Sequence, residues 1–359
     1  MAQHLLVVLK AQAARTTMTS TTTRTPPLFR EAEGAVPNTA VLCWTTGAWA
    51  ASFWLMAADP ILFNAIGVVL CVQAMVLAAY LIHEAAHNTL FGTPAANRFV
   101  GEWVGFIAGA SYASFERIRQ LHLRHHRDRA DVTCFDFKGL MERRPGVRRL
   151  LQALEWAYVP ATEVLMHLQV VWRPFFVASQ RRHLQRAAAM LVLRGTLLIA
   201  LAAWSPRALM LYALAYLLLL HVLNFFDAFH HTFEQYFVEQ DQPVPMEGRD
   251  RAYEQANTYS SLVSVRWPVL NLLTLNFGYH NAHHERAAVP WYRLPSAHEA
   301  LFGQQAACVM PLSELLATWH RNRVARVASD HYGTPAAGAG ARRADGFIGA
   351  HGVSFMTVV

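Results

Sequence analysis

The sequence predicts an all-α integral membrane protein, with four transmembrane helices in two hairpins beneath a cytoplasmic histidine-rich helical cap. Three observations lead there. The chain of 359 residues is 54% hydrophobic and only 15% charged, an apolar skew expected of a membrane chain. Four apolar stretches each have about the length that crosses roughly 30 Å of hydrocarbon. Histidines gather in three short clusters, HEAAH at 83–87, HLRHH at 122–126 and HNAHH at 280–284.

Residues 1–40, with a Thr-rich run and Pro26-Pro27, read as a disordered cytoplasmic tail. The first hairpin spans 41–58 and 61–82, turning at Asp59-Pro60. Residues 97–112 are apolar but Gly-rich and interrupted by Glu102, and read as an interfacial or re-entrant helix, not a fifth span. Amphipathic helices are expected across 140–186. The second hairpin spans 187–204 and 208–226 around Ser205-Pro206, with Arg194 expected to snorkel or to face protein. The apolar stretch 269–279 is too short to cross, and 311–326 reads as another amphipathic helix. A membrane domain over 41–330 is then followed by a Gly/Ala-rich tail, 331–359, expected to be disordered.

Charge orients these elements. Between His83 and Arg186 lie 15 Lys or Arg against 9 Asp or Glu, which places that segment on the cytoplasmic side. No nucleic-acid-binding motif accompanies the net charge of +7, so membrane lipids and not nucleic acid are the expected partner. With a cytoplasmic amino terminus, the second span returns at His83 and the fourth near His230–His231. Every histidine cluster then lies on one side. Arg outnumbers Lys 29 to 2, a bias of GC-rich coding that points to a bacterial inner membrane. The cysteines at 43, 71, 134 and 308 have no metal or disulfide spacing.

On a helix, positions i, i+3 and i+4 share a face, so each H-x-x-H-H triplet is expected to aim three imidazoles at one point. Eight imidazoles exceed the roughly four ligands of one zinc ion, so the pattern asks for two metals. Imidazole alone does not name the metal. HEAAH also matches the zinc-peptidase helix H-E-x-x-H, with Glu84 as general base, but that reading leaves both triplets unexplained. Glu84 otherwise reads as an acceptor for an imidazole N–H. His221 reads as structural, and Trp291 and Tyr292 as interface anchors. A reading of another class is a non-catalytic metal-binding membrane protein, such as a transporter, although transporter sites lie near the bilayer midplane.

The three boxes, with the flanking HEAAHNTLFGTPAANRFVGEWVG and NFGYHNAHHERAAVPWYRLP, resemble the membrane fatty acid desaturase and hydroxylase superfamily, and bacterial acyl desaturases in particular. The resemblance covers about Ile61 to Leu301. It implies two iron ions held by His83, His87, His122, His125, His126, His280, His283 and His284. It also implies a ninth ligand, His231, with His230 as its competitor. Asp227 stands where the family usually has Asn, and Asp227, Glu84 and His230 are candidates for supporting the ligands. The implied reaction uses O2 to oxidise an unactivated C–H bond of a fatty acyl chain, free, lipid-borne or carrier-borne. Desaturation is the first expectation. A hydroxylase, an acetylenase or a decarboxylase forming a terminal alkene share the scaffold. Two electrons must come from a separate protein such as a ferredoxin with its reductase, because the chain carries no HPGG haem signature or Cys cluster. Arg124, Arg127 and Arg129 are expected to dock that acidic donor.

Overall fold

A computed structural model describes residues 27–303, 307–336 and 343–357; the part of the expected amino-terminal tail at 1–26 lies outside them. The chain is mostly helical, and four helices are long and apolar enough to cross a membrane. In order the helices are α1 (Ala35–Ala57), α2 (Ile61–Ala86), α3 (Pro94–Ala108), α4 (Phe115–Asp128), α5 (Phe137–Arg143), α6 (Pro145–Trp156) and α7 (Ala161–Phe176). They continue as α8 (Leu184–Trp204), α9 (Pro206–Ala228), α10 (Arg251–Ala256), α11 (His280–Glu285), α12 (Leu294–Phe302) and α13 (Leu312–Asn322). Four three-residue strands depart from the all-α expectation. Asp131–Thr133 pairs in parallel with Gln235–Phe237, and Ser260–Leu262 with Val309–Pro311.

Local chemistry sets the helix starts. Thr93, Ser114 and Ser205 each accept a hydrogen bond from the backbone N–H three residues on, the usual N-cap arrangement. Pro94 and Pro206 occupy first-turn positions, where a missing N–H costs nothing. Helix α2, 26 residues long, reaches about 39 Å at 1.5 Å per residue. It is the central element, nearly continuously buried from Ala74 to Ala86, and it packs against α1, α3, α4 and α9. The outward faces of α1, α2, α8 and α9 carry large apolar side chains such as Trp54, Ile61, Val69, Val192, Ile199 and Met210. Such a surface fits hydrocarbon. Arg194 faces protein: its guanidinium donates to the Phe106 carbonyl and the Ser111 hydroxyl and lies over the Phe106 ring at 4.7 Å. It thereby satisfies a carbonyl near the C-terminus of α3.

Three expectations are corrected. The residues 27–40 assigned to a tail are folded: Phe29 bridges to Phe91, and α1 begins six residues before the expected span. That extension is polar and escapes a hydropathy reading, but buried Asn38 accepts from Trp291 Nε1 at 2.9 Å and donates to the Leu90 carbonyl. Trp291 is accordingly 7% exposed, a core residue and not an interface anchor. The carboxy-terminal residues 331–336 and 343–357 are also packed, with Phe347, Ala350 and Met356 buried. Glycines that read as low complexity instead make turns. Gly349 (φ +90°) and Gly352 (φ +68°) adopt left-handed backbone, and a Cβ on Gly352 would meet the Phe137 ring at 2.6 Å.

Candidate metal centre

Four segments meet beyond one end of the long helices. The last turn of α2 and its cap supply His83 and His87, α4 supplies His122, His125 and His126, the exit of α9 supplies His230 and His231, and α11 supplies His280, His283 and His284. Nine of these imidazoles form two groups. His83, His87, His122, His126 and His283 offer ring nitrogens within 4.8 Å of one another, as do His125, His231, His280 and His284. Here the expected geometry is corrected. Each triplet straddles both groups instead of aiming at one point, because i and i+4 differ from i+3 enough in azimuth to face different centres. His122 and His126 serve the first group and His125 the second; His283 and His280/His284 divide likewise.

Within the groups the Nε2 atoms face one another. The separations are 2.7 Å for His87–His122, 2.9 Å for His83–His283, 3.0 Å for His126–His283 and 3.1 Å for His122–His126. In the second group they are 2.8 Å for His231–His280 and 3.1 Å for His125–His231. A neutral imidazole has one donor and one acceptor nitrogen, so converging Nε2 atoms cannot all satisfy each other by hydrogen bonding. A shared cation satisfies them all. His230 stacks on His280 at 4.1 Å and its Nε2 has no partner among the described residues.

Four of the outer ring nitrogens are held by fixed acceptors, whereas Nδ1 of His280 and of His283 has no hydrogen-bond partner among the described residues. His83 Nδ1 meets Glu84 Oε1 at 3.3 Å, His284 Nδ1 meets Glu254 Oε1 at 2.9 Å, His125 Nδ1 meets the Ala130 carbonyl at 2.9 Å, and His231 Nδ1 meets Thr258 Oγ1 at 3.2 Å. Such contacts set the tautomer that leaves Nε2 free for a metal. Glu254, Thr258 and Asp131 (Oδ1 3.6 Å from His125 Nδ1) were not found by sequence reasoning. No box spacing marks them, and they reach the site only through tertiary packing. Glu254 also accepts from Arg129 Nε at 2.8 Å. Arg129 is therefore tied inward, and Arg124 is 6% exposed and bonded to Asp128 at 2.9 Å. Arg124 is turned inward by its phase on α4, and Arg129 lies past the helix end in left-handed backbone (φ +46°); of the three arginines expected to dock a partner, only Arg127 is exposed.

Burial lowers the proton affinity of these imidazoles, His87 to about 3 and His125 to about 4. It also lowers those of His122, His126, His231, His280, His283 and His284. All are then neutral, the form that binds metal. Burial has the opposite effect on the carboxyls of Asp131 and Glu163, raised to about 8, and Glu155, raised to about 7. In an unfolded chain imidazole titrates near 6.5 and carboxyl near 4. Below pH ~6.5 the unfolded state takes up more protons on histidine, so that contribution is lost as pH falls toward the folded values. The buried carboxyls act oppositely, losing stability as pH rises from ~4 through 8. The imidazoles outnumber them. The metal-free protein is expected to melt highest near pH ~6.5, with a steeper fall on the acid side; a melting temperature that climbs steadily from pH ~5 to 8 would contradict this.

One space adjoins the imidazoles and a second lies between the long helices. A cavity of about 50 Å³ is lined by His122, His125, Asp131, Asp227, His231 and Phe355, among others. Asp227 Oδ2 is buried there without a hydrogen-bond partner among the described residues. An apolar cleft of about 880 Å³, lined by Trp49, Phe53, Phe106, Leu201, Tyr216 and Met356 among others, lies between the long helices.

Residues 59–314 match the fatty acid desaturase family model. Among curated proteins, the chain is 28% identical over 233 residues to a sphingolipid delta(4)-desaturase of Candida albicans, covering 62% of this chain and 57% of that one. It is 30% identical over 228 residues to the sphingolipid delta(4)-desaturase/C4-monooxygenase DES2 of Rattus norvegicus, covering 60% and 58%. The matches thus span little more than half the length of those relatives. The family match takes in all three boxes and the ninth histidine, the same residues that the fold gathers into two groups, and the chain belongs to the fatty acid desaturase family.

Proposed function

We propose that the protein is a membrane-bound di-iron oxidoreductase that uses O2 to desaturate a fatty acyl chain. The observation that carries this reading is the pair of neutral imidazole groups, five and four in number, beside an apolar cleft of ligand size. His83, His87, His122, His126 and His283 would hold one iron, and His125, His231, His280 and His284 the other. Iron bound there supplies the activation of dioxygen to an oxidant able to take hydrogen from an unactivated C–H bond.

The chain's own residues do the rest. Glu84, Glu254 and Thr258 orient ligand rings. The Asp227 carboxylate, next to His230 and His231 within the small cavity and with Oδ2 open among the described residues, can hold a proton or a water there. The apolar cleft receives the alkyl tail and excludes water. Asp227 replaces the family's usual Asn, so a carboxylate faces the centre where an amide would.

The four long helices form two membrane hairpins in this reading, with the domain over 41–330 extended by the packed residues at either end and the histidine cap on the cytoplasmic side. The Arg-rich, Lys-poor composition supports a bacterial inner membrane as its location. Electrons come from a separate acidic donor such as a ferredoxin with its reductase, approaching near exposed Arg127 on α4. The rat relative's name pairs desaturation with mono-oxygenation, which keeps a hydroxylase on the same scaffold as the second reading. An acetylenase, a decarboxylase forming a terminal alkene and a non-catalytic metal binder are the remaining ones.

The test is lipid and volatile analysis of a host expressing wild-type protein or His125→Ala, alongside metal content. Internal double bonds that vanish in the variant support the proposal. Hydroxy acids, alkynes or 1-alkenes replace it with the corresponding relative. Full iron loading without iron-dependent O2 consumption, given a reductant, refutes enzymatic function.

A further inference from the structure

The small cavity at the imidazoles and the large apolar cleft share one stretch of backbone in their walls. Phe355 lines the first, at about 50 Å³, and the next residue, Met356, lines the second, at about 880 Å³. Consecutive Cα atoms lie 3.8 Å apart, so one thickness of chain divides the two spaces. A cavity of the smaller size admits a few waters and no alkyl chain. A tail lying in the cleft therefore brings no carbon to the imidazoles until this stretch gives way.

The stretch is anchored firmly at its base. Ala350 N donates to the Ala228 carbonyl at 2.8 Å, Ile348 N to the Tyr332 carbonyl at 2.8 Å, and Arg326 Nε to the Ile348 carbonyl at 2.8 Å. Gly352 N–H reaches the Glu163 carboxyl, and the Ser354 hydroxyl faces Asp227. Beyond that point the bonds are local ones within the turn: Thr357 N to the Ser354 carbonyl at 3.1 Å and Met356 N to Ser354 Oγ at 3.4 Å. Phe355 touches the site through ring contacts, 5.9 Å to His122 and 6.4 Å to His83. A tip held by dispersion, its own turn and the single Ser354–Asp227 contact, hinged at left-handed Gly352, can move without breaking the anchor.

We propose that Val353–Met356 is a movable partition that sets which carbon of a bound acyl chain reaches the metal centre. Phe355 is displaced by the incoming chain, and Met356 forms the neck of the tail cleft. The inference rests on the acyl-oxidation reading for its substrate, but the partition itself is a claim about two cavities.

The experiment uses the full-length chain in membranes and the variants Phe355→Ala, Phe355→Leu and Met356→Trp, each checked for metal content. One arm measures product yield over a saturated fatty-acid series. Phe355→Ala is expected to raise the ratio of long-chain to short-chain turnover by about 10-fold or more, the discrimination that a methylene carries in an apolar pocket. Met356→Trp lowers it comparably, and Phe355→Leu stays near wild type. The second arm needs no turnover: binding of cis-parinaric acid to metal-free protein weakens in Met356→Trp and is kept or tightened in Phe355→Ala. If Phe355→Ala fails to fold, the other two variants decide. Ratios within about 2-fold of wild type in metal-replete Met356→Trp, or unchanged parinaric binding in that variant, overturn the partition. A wild type that oxidises no fatty acid but shows the expected binding changes overturns the functional reading and leaves the partition standing.

Discussion

Replacing His122 by Ala is expected to remove one of two metals and reduce acyl oxidation below detection; replacing His280 by Ala is expected to remove the other metal. His122 sits at the middle of the five-imidazole group, its Nε2 within 2.7 Å of His87 and 3.1 Å of His126. His280 occupies the four-imidazole group, with Nε2 2.8 Å from His231. Losing a residue that merely orients a ligand costs about 10–100-fold in metal affinity or activity, so losing a ligand costs more than that. Because the groups share no member, each variant should retain about one metal per chain, measured by elemental analysis of purified protein. His230→Ala provides the control. Its ring stacks on His280 outside both groups, so it should keep both metals, whereas His231→Ala should not. Two metals retained in His231→Ala and one in His230→Ala would exchange their roles.

What was legible in the sequence was what a linear pattern encodes. A run such as Ile61–Ile82 has few ways to be anything but a long buried or membrane helix, and an H-x-x-H-H triplet must present its rings on adjacent helical positions. The pattern did not encode azimuth finely enough. Placing His125 in one group and His122 with His126 in the other depends on where α4 lies between α2 and α11. Residues that act singly left no pattern at all. Glu254 arrives from a six-residue helix, and Asp131 from a three-residue strand paired with Gln235–Phe237. Composition misled at both ends. Asn38 lies in a polar stretch that looks loose but is ordered by Trp291. The carboxy-terminal glycines look disordered but are the only residues whose backbone could pass so close to Ala228 and Phe137.

Glu84→Ala is expected to destabilise the fold and weaken metal binding together, because one carboxylate serves both. Glu84 is 3% exposed. Its Oε1 accepts from His83 Nδ1 at 3.3 Å, and its Oε2 accepts from Thr89 Oγ1 at 2.6 Å and from the Trp291 backbone N–H at 3.1 Å. The last of these joins the end of α2 to a segment 207 residues away. Removing the carboxylate strands two buried donors, His83 Nδ1 and the Trp291 N–H, while Thr89 Oγ1 keeps the Glu84 backbone carbonyl at 2.9 Å; at about 1–3 kcal/mol each the cost is at least about 2 kcal/mol, read as a lowered melting temperature of the metal-free protein. It also frees the His83 ring to turn, so the five-imidazole group should bind metal about 10–100-fold more weakly. Glu84→Gln keeps an acceptor oxygen for one donor and sets an amide NH2 against the rest, and it should fall between. A zinc-peptidase base makes the opposite prediction, since such a carboxylate faces a water and contributes little to the fold. In that case Glu84→Ala would melt and titrate with metal as wild type does while a hydrolytic activity disappears. The geometry argues against this: both Glu84 oxygens already accept from donors of the protein itself, and the side chain is 3% exposed.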